Sequence, residues 1–195
     1  MPAGVPRALP APEVSVPRSV GLLVLLLALP VLLAAQPRRS LVVRNVDLPA
    51  GVRLDTIGRL EKVAAPAAAT FDAVVTAFTE FGIPRNTESV AGGEVGNVEL
   101  VTRRTFAGER ASLSVDCGRG MTGSYADSYR LRLAVVTWVS PMGAAPDSST
   151  LHTALVGGAR AVDGTSAWPV QCASLGRFEK RLAARVRELV QSPGR

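Results

Sequence analysis

Between Tyr129 and Val139 the side chains alternate. Tyr129, Leu131, Leu133, Val135 and Val139 fall on one side of an extended chain, and Arg130, Arg132, Ala134, Val136 and Trp138 fall on the other. A period of two residues marks a β-strand that buries one face. Other segments read the same way: Val98–Arg104 and Ala111–Cys117 upstream, and Thr150–Val162 after a loop over Pro141–Ser149. In Ala111–Cys117 the alternation turns Leu113, Val115 and Cys117 inward and Ser112, Ser114 and Asp116 outward. Parallel neighbours need a long crossover, usually a helix, and no helical pattern separates these segments. The sheet they form is therefore expected to be antiparallel. Nearer the N-terminus, Leu41–Val46 and Arg59–Val63 read as shorter strands, with turn-forming Leu48-Pro49-Ala50-Gly51 between them.

Two amphipathic helices bracket the run of strands. Pro66 opens the first, in which Phe71, Val74, Val75, Phe78 and Phe81 recur at helical spacing until Gly82 and Pro84 end it. Asn86–Gly96, with its Gly92-Gly93 pair, then turns the chain. The second helix closes the domain. Ser174 is its candidate N-cap, Phe178, Leu182, Val186, Leu189 and Val190 form its apolar stripe, and Arg177, Arg181 and Arg185 form a basic row. Both stripes need a surface to bury them. The expected fold is α+β, a two-layer sandwich in which about four to six antiparallel strands carry two helices on one face.

Ahead of this domain, Ser19–Gln36 contains no charged residue. Arg7 and Arg18 supply a positive flank, Leu22–Leu29 an apolar centre, and Leu33-Ala34-Ala35-Gln36 a small-residue cleavage site. At about 17 residues the run is marginal for a membrane span. Residues 1–36 are expected to be a signal peptide that directs the chain to the periplasm or cell envelope. An uncleaved inner-membrane anchor formed by residues 19–36 is the alternative. An N-terminal strand segment over 37–64, an α+β domain over 65–192 and a tail at 193–195 follow. No cysteine lies near the cleavage site, which excludes lipid attachment there.

The formal charge is +6, carried by 20 Arg and two Lys that are scattered through the chain. That distribution does not point to nucleic acid. Cys117 and Cys172, with the single His152, are too few for a four-ligand structural zinc site. In an exported chain two cysteines are expected to form one disulfide, the alternative being two buried thiols. No metal and no cofactor is expected.

Gly118-Arg119-Gly120-Met121-Thr122-Gly123 has the letters of a dinucleotide fingerprint. The fingerprint works by setting pyrophosphate on a helix N-terminus, whereas Tyr129–Val139 reads as a strand, so the glycines are expected to serve a loop. His152 lies in a strand with no nucleophile placed beside it by any motif. Asp116 and Asp127 flank the glycine loop and form the one candidate carboxylate pair, though as a strand-face and a turn residue they need no catalytic role. No catalytic residue is assigned. For an interaction surface the candidates are the row Arg177, Arg181, Arg185, suited to an acidic partner, and Trp138, which forms an apolar patch with Val136 if its sheet face is uncovered. Trp168, beside Pro169, is placed to pack over a sheet edge.

The order of helix, strand run and closing helix, with Phe81-Gly82-Ile83 ending the first helix, resembles the helix-grip envelope domains of the BamC type, found in the outer-membrane assembly machinery. The resemblance covers the layout from Ala65 to Val190, and this chain lacks that family's lipobox cysteine. The layout is also similar to small START-type helix-grip folds, which hold apolar molecules between sheet and helix. The leading expectation is a non-enzymatic envelope module that binds another protein, with membrane contact only through the N-terminal segment. A carrier of a small apolar ligand is the alternative.

Overall fold

The computed structural model describes residues 41–44, 47–48, 51–143, 145–164 and 168–192. The expected signal segment and the tail lie outside the described residues. The chain runs through β1 (Val42–Val43), β2 (Val52–Arg53), β3 (Arg59–Val63), helix α1 (Ala67–Glu80), β4 (Thr87–Ser89) and β5 (Glu94–Arg103). It continues through β6 (Thr105–Phe106), β7 (Glu109–Arg110), β8 (Val115–Asp116), β9 (Arg119–Gly120), β10 (Gly123–Ser124) and the short helix α2 (Tyr125–Ser128). Last come β11 (Arg130–Met142), β12 (Ala145–Arg160), β13 (Val170–Ser174) and α3 (Arg177–Gln191).

The fold is α+β. A seven-stranded sheet has the order β4-β5-β11-β12-β13-β8, with β3 also paired to β12, and its pairings are all antiparallel. Alternation along β11 decides the two faces. Leu131, Leu133, Val135 and Val139 meet Phe71, Val74 and Phe78 of α1 and Phe178, Leu182 and Val186 of α3 in one core. Phe178 anchors it, with ring centroids 4.8 Å from Phe106 and 6.0 Å from Phe81. The hydroxyls of Thr70 and Ser149, 2.8 Å apart, pin α1 to β12.

The other face of β11 is covered too, so the condition for an exposed apolar patch at Trp138 and Val136 is not met. Val43 and Leu54, with Leu41, Leu48, Val52 and Ile57 beside them, pack on Ala134, Val136, Trp138 and Ala154. Of the described residues ahead of α1, β3 adds a strand to the sheet, and Leu41, Val43, Leu48, Val52, Leu54 and Ile57 close its back.

Four local expectations are corrected. Ala111–Leu113 is a 3-10 turn instead of the start of a strand, because Asp127 accepts hydrogen bonds from both the backbone N–H and the hydroxyl of Ser112. Leu113 is consequently exposed, while Ser114 is buried. The β5 strand begins at Glu94, earlier than its glycines suggested, because it pairs on both sides with β4 and β11. Pro141 and Met142 extend β11, and β12 begins at Ala145; β5 stops opposite Trp138, so Pro141 borders one strand only and its missing N–H is tolerated. Ser174 ends strand β13, and Gly176, at φ 74°, is the N-cap of α3.

Candidate functional site

Cys117 and Cys172 form a disulfide, with Cα atoms 4.1 Å apart. It fastens the end of β8 to β13, whose pairing register leads straight to it. The glycine segment Gly118–Gly123 forms the β9–β10 hairpin, and Gly118 takes a left-handed φ of 84°. Asp116 accepts the Gly118 N–H at 2.9 Å. With Asp127 held by Ser112, each carboxylate of the candidate pair has a local structural bond. His152 stands opposite Trp138 across the β11–β12 ladder and stacks on it, with centroids 5.3 Å apart. Its Nε2 lies 2.7 Å from the Ile57 carbonyl.

The expected interaction surface is largely used within the domain. Trp138 is 4% exposed and donates its indole N–H to Glu94. Arg177 and Arg181 both reach Glu109, each at 3.0 Å, and Arg181 lies over the Phe81 ring. Arg185 bridges Glu80 and Glu188, and Arg187 reaches Glu61. The row staples α3 to α1 and to the β6–β7 hairpin. Hydrogen bonds from these arginines hold the carboxyls of Glu80 (from Arg185) and Glu109 (from Arg177) below the usual carboxylate range. Trp168 is 81% exposed.

The concave feature of the domain arises from how β12 is partnered. One edge of β12 carries two short strands end to end, β3 opposite Ser149–Thr153 and β13 opposite Val156–Ala159. Ala154 and Leu155 fall in the seam between them. Gly58 sets the approach of β3, because at its φ of 104° a Cβ would stand 2.3 Å from the Thr153 carbonyl oxygen. A cleft of about 670 Å³ occupies this seam, with apolar walls from Leu48, Val52, Ile57, Leu155, Val156 and Leu175. Its polar lining includes Arg59, Asp116, Gln171, Ser174 and Glu179.

Glu179 is the unusual member. It stands three residues after the N-cap Gly176, where a glutamate commonly reaches back to the cap N–H. Here Ser174 intervenes: its hydroxyl oxygen accepts the Gly176 N–H at 3.0 Å, and its O–H donates to Glu179 Oε1. Glu179 is 2% exposed, and its second oxygen, Oε2, has no hydrogen-bond partner among the described residues. A buried acceptor left unpaired costs about 1–3 kcal/mol and calls for an explanation.

Sequence reasoning did not single out Glu179, because an acidic residue in the first turn of a helix ordinarily serves its exposed N-terminus. A signal was present: Glu179 precedes Leu182, Ala183 and Val186 at helical spacing, which puts it on the buried side. Among the described residues no group of three or more His, Cys, Asp or Glu is placed to hold a metal ion. Comparison with protein-family models, with curated proteins and with solved structures gives no match to this chain.

Proposed function

We propose that the chain is a non-enzymatic binding protein of the cell envelope, and that the seam cleft holds a small ligand with an apolar body and a hydrogen-bond-donating head. The observation that carries this reading is a cleft of about 670 Å³ whose walls are mainly apolar and whose lining includes the incompletely bonded Glu179. That volume is in the range of small-molecule sites, which typically pair apolar walls with a few placed polar groups. A donor on the ligand would give Oε2 the bond it lacks.

A protein partner at the surfaces first expected has less support, since Trp138 and the α3 arginines are engaged internally. A carrier of the helix-grip kind, with its ligand between α3 and the sheet, also has less support: Phe78, Phe178, Leu131, Leu133 and Leu182 are fully buried there. The ligand-binding alternative thus moves from the helix–sheet interior to the seam. Export rests on the apolar run Ser19–Gln36 and agrees with the disulfide, since such bonds persist in oxidising compartments. The non-enzymatic reading rests on His152, Asp116 and Asp127, each of which has a structural role.

The test uses n-octanol and its methyl ether as probes of the full chain, followed through the backbone amides by NMR. Octanol should shift Gly58, Leu175, Gly176 and Glu179 saturably, and the ether, which lacks a donor, should do so more weakly. Ala173 lines the cleft on an exposed strand position, so Ala173→Trp should block the response while leaving the circular dichroism unchanged. Shifts that survive Ala173→Trp, or no saturable shift with either probe, would contradict the proposal.

A further inference from the structure

Register places arginines side by side at one end of the sheet. Arg130 of β11 stands directly opposite Arg103 of β5 on one side and Arg160 of β12 on the other. Directly opposite residues share a face, with Cβ atoms about 4.5–5.5 Å apart. Three guanidinium groups therefore rise from three neighbouring strands at one level, and Arg132 joins them two residues further along the same face. Like charges so placed are destabilising. Within the described residues the row's one salt bridge joins Arg160 to Asp47 at 3.2 Å; Arg103, Arg130 and Arg132 have none. The contrast is with α3, where Arg177, Arg181, Arg185 and Arg187 each meet a carboxylate.

The same end carries exposed apolar side chains. Val170 pairs with Ala159, beside Arg160, which puts Trp168 just beyond that edge. The β9–β10 hairpin leaves β8 toward the same end, because Asp116 pairs with Ala173 and the next residue, Cys117, bonds Cys172. Its tip residue Met121 is fully exposed, Trp168 is 81% exposed and Val162 is half exposed. Arg119 of this hairpin is exposed as well. Tryptophan is enriched where lipid headgroups meet acyl chains, and anionic headgroups supply the counter-charge that the arginines lack.

We infer that this end of the domain docks on an anionic phospholipid surface, with Arg103, Arg130 and Arg132 against the headgroups and Trp168 and Met121 entering the interface. A soluble polyanion would answer the charge but give the apolar tips no place. None of these residues lines the seam cleft.

The chain has two tryptophans, and Trp138 is buried, so the difference between the natural chain and Trp168→Phe isolates the emission of Trp168. The full chain is mixed with vesicles of phosphatidylcholine, with or without phosphatidylglycerol, carrying brominated acyl chains. Trp168 should shift to the blue and be quenched only where phosphatidylglycerol is present, and less so as salt rises. Arg130→Gln should lower the ratio of docked to undocked chain about fivefold, and Arg103→Gln with Arg130→Gln about 25-fold, as expected from the worth of one charge near such a surface. Both variants should melt no lower than the natural chain, since they relieve repulsion. Equal quenching without phosphatidylglycerol, or none with it, would overturn the inference. So would a melting temperature lowered by the substitutions, or an equal arginine-dependent shift with heparin in place of vesicles.

Discussion

Gly58 shows how one residue shapes the site. Its φ of 104° is open to glycine and costly to other residues, and a Cβ there would collide with the backbone of Thr153. Gly58→Ala is expected to lower stability by about 1–3 kcal/mol and to displace the entry into β3; a urea titration would check the first effect. Glutamates that tie α3 and β3 in place make stability depend on acid. Glu61, Glu80 and Glu109 have pKa values lowered from 4.5, chiefly by hydrogen bonds from Arg59, Arg185 and Arg177 respectively. A carboxyl whose pKa is lower in the folded state adds stability above the unfolded value, and that stability is lost as pH falls through the folded value. The urea midpoint should therefore drop as pH falls from about 4.5, and the drop should be smaller when all three are replaced by Gln. An equal drop in that variant would show that these ion pairs do not set the acid limit. Glu179 teaches a different lesson about legibility. Its type and its spacing from Leu182, Ala183 and Val186 were visible in the sequence, but the Ser174 hydroxyl that holds it belongs to β13, a strand the sequence did not reveal.

Elements were legible where their own pattern specified them. β3 has the bounds that its sequence predicted, and α1 starts beside Pro66 and ends before Gly82, as its periodicity and its breakers require. β11 was readable because Leu131, Leu133, Val135 and Val139 recur on one face, interrupted only by Thr137. β13 was not: Val170–Ser174 has little alternation of its own and owes its conformation to pairing with β12 and β8. The Ala111–Leu113 turn shows the converse case, in which a good alternating pattern yields to a side chain, Asp127, from a distant segment. The disulfide is the covalent counterpart of the β8–β13 pairing. It closes a loop with a sequence separation of 55 residues, for which the chain-entropy model gives about 4 kcal/mol. Reduction, or Cys117→Ser with Cys172→Ser, should cost stability on that scale in denaturant unfolding, and because Cys172 lines the cleft, ligand response should fall as well. Reduction that left the midpoint unchanged would contradict this assignment.

At the scale of the whole molecule, the α+β class followed from a run of strands between two amphipathic helices. Two features of function did not follow. The cover on the second face of the sheet comes from Leu41, Val43, Leu48, Val52, Leu54 and Ile57, which pack with Ala134, Val136 and Trp138 from far away in sequence. The cleft likewise has no local signature, because it forms where two short strands, distant in the chain, share one edge of β12. Its use as a binding site is the central proposal. Native mass spectrometry of the protein recovered gently from its source envelope, side by side with Ala173→Trp, tests it most directly. The account expects a chain starting near Gln36 or Pro37 that retains a small molecule, and an Ala173→Trp variant that retains none. A natural chain recovered bare, or one whose bound mass persists in Ala173→Trp, would contradict it.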